Sequence, residues 1–159
     1  MSANPSPAAD RELVITRVLD APRELVWKVW TRPEHVAQWW GPDGFTNTIQ
    51  EMNVSPGGVF RLVMHGPDGR DYPNKIVFLE VVEPERLVYK HTGEAGTEPV
   101  NFQVTITFEA EGSKTRFTMT SVFPSAAAKA FVIENYGADV GMIQHVARLA
   151  AYLAKEGNP

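Results

Sequence analysis

Four histidines, nineteen acidic side chains and no cysteine set the chemistry open to this 159-residue chain. Without thiolates there are no disulfides, thiolate zinc sites, iron–sulfur ligands or cysteine nucleophiles. His35, His65, His91 and His145 are scattered, and no two stand at a spacing that puts paired ligands on one helix or strand face, so no metal site is expected. His35 and His145 are expected on helix flanks near solvent. Acid–base catalysis by carboxylates needs two of them converging on one substrate atom from different environments. Glu83 and Glu85 instead flank Pro84 in a polar turn, and Glu80 has no evident partner. There is no Gly-x-Ser-x-Gly elbow and no glycine-rich loop opening a helix, since Ser55-Pro56-Gly57-Gly58 lies between strands. The polar candidates reduce to Tyr89 and His91. They share strand parity with Leu87, and either point into a cavity or end the strand with satisfied polar tips. No catalytic constellation and no cofactor are expected.

The aromatic residues are the richer signal, and most of them read as core. Met64 and Met119 among the rings suit an adaptable apolar pocket. Charged residues mark outer strand faces: Arg61 puts Phe60, Leu62 and Met64 inside, Lys75 puts Ile76 and Phe78 inside, and Arg116 puts Phe117 and Met119 inside. Trp39 and Trp40 either close a cavity mouth or divide into one buried ring and one surface contact. The expected ligand-lining set is therefore Trp39, Trp40, Phe60, Met64, Phe78, Tyr89, His91, Phe102, Met119, Tyr136, Val140 and Ile143.

Residues 1–10, with two prolines and small side chains, are expected to be a disordered tail, and 11–156 a single domain. ELVITRVLD at 12–20 reads as a strand ended by Asp20-Ala21-Pro22. Leu25, Val26, Val29 and Trp30 then share a helical face. Thr31 and Glu34 stand at capping-box spacing before a second short helix, which Gly41-Pro42 ends. From Phe45 to Phe123, six runs of β-formers alternate with turn signals, including the loop from Thr92 to Pro99. In NFQVTITF at 101–108, Phe102, Val104, Ile106 and Phe108 share one side, as expected of an antiparallel sheet packed on a single face. The cover comes from Ser125 to Lys155, where Val132, Tyr136, Val140, Ile143, Ala147, Ala150 and Leu153 form one apolar stripe. Gly137 and Gly141 predict a kink or break near 137.

Net charge is −4 and no stretch concentrates Lys or Arg, so nucleic acid is not an expected partner. No apolar run approaches the roughly 20 residues of a membrane helix, and MSANPSPAAD lacks a basic start and an apolar core. The chain reads as soluble, cytoplasmic and not membrane-bound, and monomer and homodimer both stay open.

ITRVLDAPRELVWKVWTRPEHVAQWWGPDGF, the Ser55-Pro56-Gly57-Gly58 turn with FRLVM, PDG at 67, LEVVEPERLVY at 79–89 and ARLAAYLAK together resemble one family. It is the homologue-like branch of activators of the ninety-kilodalton heat-shock chaperone's ATPase, within the START and birch-pollen-allergen (SRPBCC) superfamily. The resemblance spans about Leu13 to Lys155. It implies an α+β helix-grip fold, a curved seven-stranded antiparallel sheet wrapped around a long C-terminal helix, with two short helices between strands 1 and 2. It also implies that a small hydrophobic or amphipathic molecule is held between sheet and helix. A chaperone partner is a second implication, supported only in part because 159 residues leave no room for the additional N-terminal domain of eukaryotic activators. Relatives that are cyclases and hydrolases supply a third.

Overall fold

The computed structural model describes residues 11–92 and 102–156. Its order is β1 (Glu12–Leu19), α1 (Arg23–Thr31), α2 (Pro33–Trp39), β2 (Thr46–Met52), β3 (Val59–His65), β4 (Asp71–Val82), β5 (Arg86–His91), β6 (Phe102–Glu111), β7 (Lys114–Val122), α3 (Ala126–Tyr136) and α4 (Ala138–Glu156). All strand pairs are antiparallel, in the spatial order β1-β7-β6-β5-β4-β3-β2. This is the helix-grip architecture, with the two short helices bridging the sheet's edge strands.

Strand alternation sorts the residues as the charged markers predict. Phe60, Leu62, Ile76, Phe78, Phe117 and Met119 are buried, and Leu87, Tyr89, Val104, Ile106 and Phe108 join them. Register shifts between Ile49 and Glu51 and between Phe78 and Glu80 bend the sheet so that it can wrap. Of the expected loop from Thr92 to Pro99, residues 93–99 lie outside the described residues, as do residues 1–10.

Two local expectations are corrected. The Thr31–Glu34 capping box does not form: Thr31 is still inside α1, and its hydroxyl donates to the Trp27 carbonyl four residues back at 2.7 Å. Arg32 is the N-cap of α2 and makes no side-chain cap. The C-terminal segment breaks at Gly137, whose φ of 60° and ψ of 39° are the left-handed conformation glycine adopts without a Cβ penalty. That break resets the helical phase, so a stripe drawn through it fails. The inward face of α4 carries His145, Val146, Leu149 and Leu153, with Met142, Ala150 and Tyr152 partly buried. Val140 and Ile143 are 54% and 60% exposed, and Ala147 is exposed.

Candidate functional site

The segment Trp39-Trp40-Gly41-Pro42 ends α2, and α4 holds it in place. The Arg148 guanidinium donates through Nη1 to the carbonyls of Trp40 (3.0 Å), Gly41 (3.0 Å) and Pro42 (2.7 Å), and through Nη2 to that of Phe45 (3.0 Å). One turn away, the Gly41 N–H donates to His145 Nδ1 at 2.9 Å, and the Asp43 N–H donates to Gln144 Oε1 at 3.2 Å. Gly41 has φ +94°, so glycine is the residue that makes this turn without strain. The Asn47 amide also donates to the Trp40 carbonyl at 3.0 Å, and His35 Nδ1 lies 2.6 Å from the Tyr152 hydroxyl.

Three indoles surround His145. Ring centroids lie 5.8 Å away for Trp30, 5.0 Å for Trp39 and 4.7 Å for Trp40, the last at an interplanar angle of 90°. Trp39 Nε1 donates to the Val29 carbonyl at 3.1 Å. Trp30 Nε1 and His145 Nε2 are buried with no protein partner. Burial pushes the His145 pKa down to about 3, and the positive charge of Arg148 and then His91 add to the shift. The imidazole is therefore neutral near pH 7. Burial likewise raises the Tyr89 phenol, keeping it protonated. Outward from this centre, Trp30 stacks on Phe117 at 6.1 Å, Phe78 meets Tyr89 edge-on at 6.0 Å, and His91 stacks on Phe102 at 4.8 Å and 9°.

Of the residues expected to line a pocket, Trp39, Trp40, Phe60, Phe78, Tyr89 and Met119 are buried, and Met64, His91 and Phe102 partly so. Val140 and Ile143 turn away from the interior, because the phase of α4 is set by the residues after Gly137. The side chain of Tyr136 lies outside the described residues. His145 was expected near solvent and is 7% exposed; its setting is tertiary, and only the His145-x-x-Arg148 spacing on one helical face hinted at it. Trp30 and Arg148 were equally absent from the expected set.

Chemically, the interior offers rings and hydrogen-bond donors. Buried polar side chains among the described residues are Thr115, Ser121 and His145, so no buried carboxylate stands by to act with His145 as an acid–base pair. The described residues hold no group of three or more His, Cys, Asp or Glu placed to take a metal ion. A cleft of about 370 Å3 on the flank of α1, with Lys28, Arg32, Val54, Val81 and Glu83 in its walls, contains neither unpartnered donor. On the outer sheet face, His65 joins Thr48 (Oγ1 to Nε2, 2.8 Å) and Asp71 (Oδ1 to Nδ1, 2.7 Å). No helix among the described residues is long and apolar enough to cross a membrane.

Solved structures with the same architecture include a protein of Nitrosomonas europaea, 27% identical with a TM-score of 0.82 over 95% of this chain and 99% of that one. A protein of Staphylococcus epidermidis is 25% identical at TM-score 0.78, covering 98% of this chain and 95% of its own. A third, from Arthrobacter aurescens, shares the fold at TM-score 0.85 with 24% identity, over 95% and 90% of the two chains. Among curated proteins, no sequence matches this chain. The family profile described as Activator of Hsp90 ATPase homolog 1-like protein matches residues 20–154, nearly all of the strands and helices above. The chain belongs to the Activator of Hsp90 ATPase homolog 1-like family.

Proposed function

We propose that this protein binds a small hydrophobic or amphipathic molecule in the interior between the sheet and α4. The observation that carries this reading is the pair of ring N–H groups, at Trp30 and His145, buried among aromatic side chains with no protein partner. A buried polar group left unpaired costs about 1–3 kcal/mol, and a bound polar atom that pairs with it recovers that cost. Apolar ligand surface buried against Trp40, Phe60, Phe78 and Met119 contributes about 25 cal/mol per Å2. Met64 and Met119 can re-pack around a guest, and Trp30 and His145 are the groups proposed to orient its polar end. Titration with an apolar fluorescent probe, followed through tryptophan emission, is expected to saturate at one equivalent. Met119→Glu, with folding checked by circular dichroism, abolishes that response; an unchanged affinity contradicts the pocket.

The family description favours a second reading, stimulation of a chaperone ATPase. A purified ninety-kilodalton chaperone whose ATPase rate stays constant on adding this protein argues against it.

A further inference from the structure

We propose that the polar end of the bound molecule is an oxygen acceptor, a carbonyl, carboxylate or phenolate, taken by His145 Nε2–H and Trp30 Nε1–H in an interior that rejects ammonium groups. This rests on the reading of the interior as a ligand site and narrows its chemistry.

A neutral imidazole carries one proton on one of its two nitrogens, and the bond made by the other nitrogen decides which. His145 Nδ1 faces the backbone N–H of Gly41 at 2.9 Å. A backbone N–H only donates, so Nδ1 must present its lone pair and the proton sits on Nε2. The indole N–H of Trp30 also only donates. The two buried unpartnered atoms of this ring cluster are therefore both donors, and the ring centroids lie 5.8 Å apart. An ammonium group brings more donors and satisfies neither.

The local charge favours the same class of ligand. Arg148 lies close enough to oppose protonation of His145, and so does His91 on the strand side. The guanidinium's hydrogen bonds run to main-chain carbonyls, and Asp43 is the carboxylate whose charge reaches it. Burial is the main reason His145 stays neutral, and the same two groups that add to it disfavour a cation placed beside the ring, whereas an oxygen acceptor gains from them. His145 and Trp40 meet at right angles with ring centroids 4.7 Å apart.

The test compares three probes sharing one ring system, 2-naphthoate, 2-acetylnaphthalene and 2-naphthylmethylammonium, by calorimetry on the full chain. Both oxygen probes should bind about tenfold tighter than the ammonium, the difference one recovered hydrogen bond makes. In 1H–15N spectra, the His145 Nε2–H and Trp30 indole resonances should shift when they bind. Trp30→Phe keeps a ring and removes a donor, so it should weaken the oxygen probes about fivefold and leave the ammonium unchanged. Equal affinity for all three probes, binding without shifts at these two groups, or a His145 that carries its proton on Nδ1 overturns this inference and leaves the interior site standing. Failure of every probe to bind at millimolar concentration overturns the interior reading, and this inference with it.

Discussion

His145 and His65 are the same side chain held by hydrogen bonds in two opposite settings. His65 lies on the outer sheet face between Thr48 and Asp71, in the hydroxyl–imidazole–carboxylate order of a nucleophilic triad. Its side chain is 38% exposed and that of Asp71 62%. Water competes for each of these contacts, and an oxyanion formed there would rely on solvent rather than on fixed donors. His145 shows no motif at all, yet it sits among three indoles, takes its one bond from a backbone N–H and holds a donor with no partner. A familiar order of groups on a wet surface is therefore a clasp between neighbouring strands, whereas an unfamiliar group in a dry interior can be a site.

The largest effect at His145 should come with acid. In the unfolded chain an imidazole begins to take a proton near pH 6.5, while folded His145 stays neutral down to about pH 3. The unfolded state therefore binds more protons across that window, and stability must fall as pH drops through it and level off above about pH 7. At about 1.4 kcal/mol per pH unit the His145 share is roughly 5 kcal/mol. Urea unfolding from pH 7 to 4 should show a slope that His145→Phe flattens; equal slopes in the wild type and His145→Phe would contradict the buried, neutral imidazole.

Trp39→Ala removes a ring that is 1% exposed and packs on His145, and it should cost about 4 kcal/mol in denaturant unfolding. Arg148→Met keeps the aliphatic stem but strips the donors from four carbonyls. We expect a loss of about 2–3 kcal/mol, with faster amide exchange confined at first to residues 40–45. Smallest is His65→Gln, at about 0.5 kcal/mol or less, because the contacts it breaks are exposed. A larger cost there would show that the clasp holds the edge strand and would narrow the contrast with the interior.

Much of the fold was legible because strand patterning is local. Arg61, Lys75 and Arg116 each marked an outer face within its own strand, and Gly137 announced the helix break by itself. What the chain concealed is what distant segments make together. The face of α4 could not be carried across Gly137, so Val140 and Ile143 were placed inward when they are exposed. His145 gains its meaning from the Gly41 N–H, 104 residues earlier, and from indoles on α1 and at the end of α2. Thr31 stands at the spacing of a cap yet bonds backward to Trp27, a choice between two local partners that spacing alone does not make.

Native mass spectrometry of gently purified protein shows whether the interior takes a small molecule. A non-covalent adduct above the 17.6 kDa chain is expected, released on denaturation as an apolar molecule bearing an oxygen acceptor. A bare chain mass that also stays bare when 2-naphthoate is supplied at millimolar concentration would contradict it.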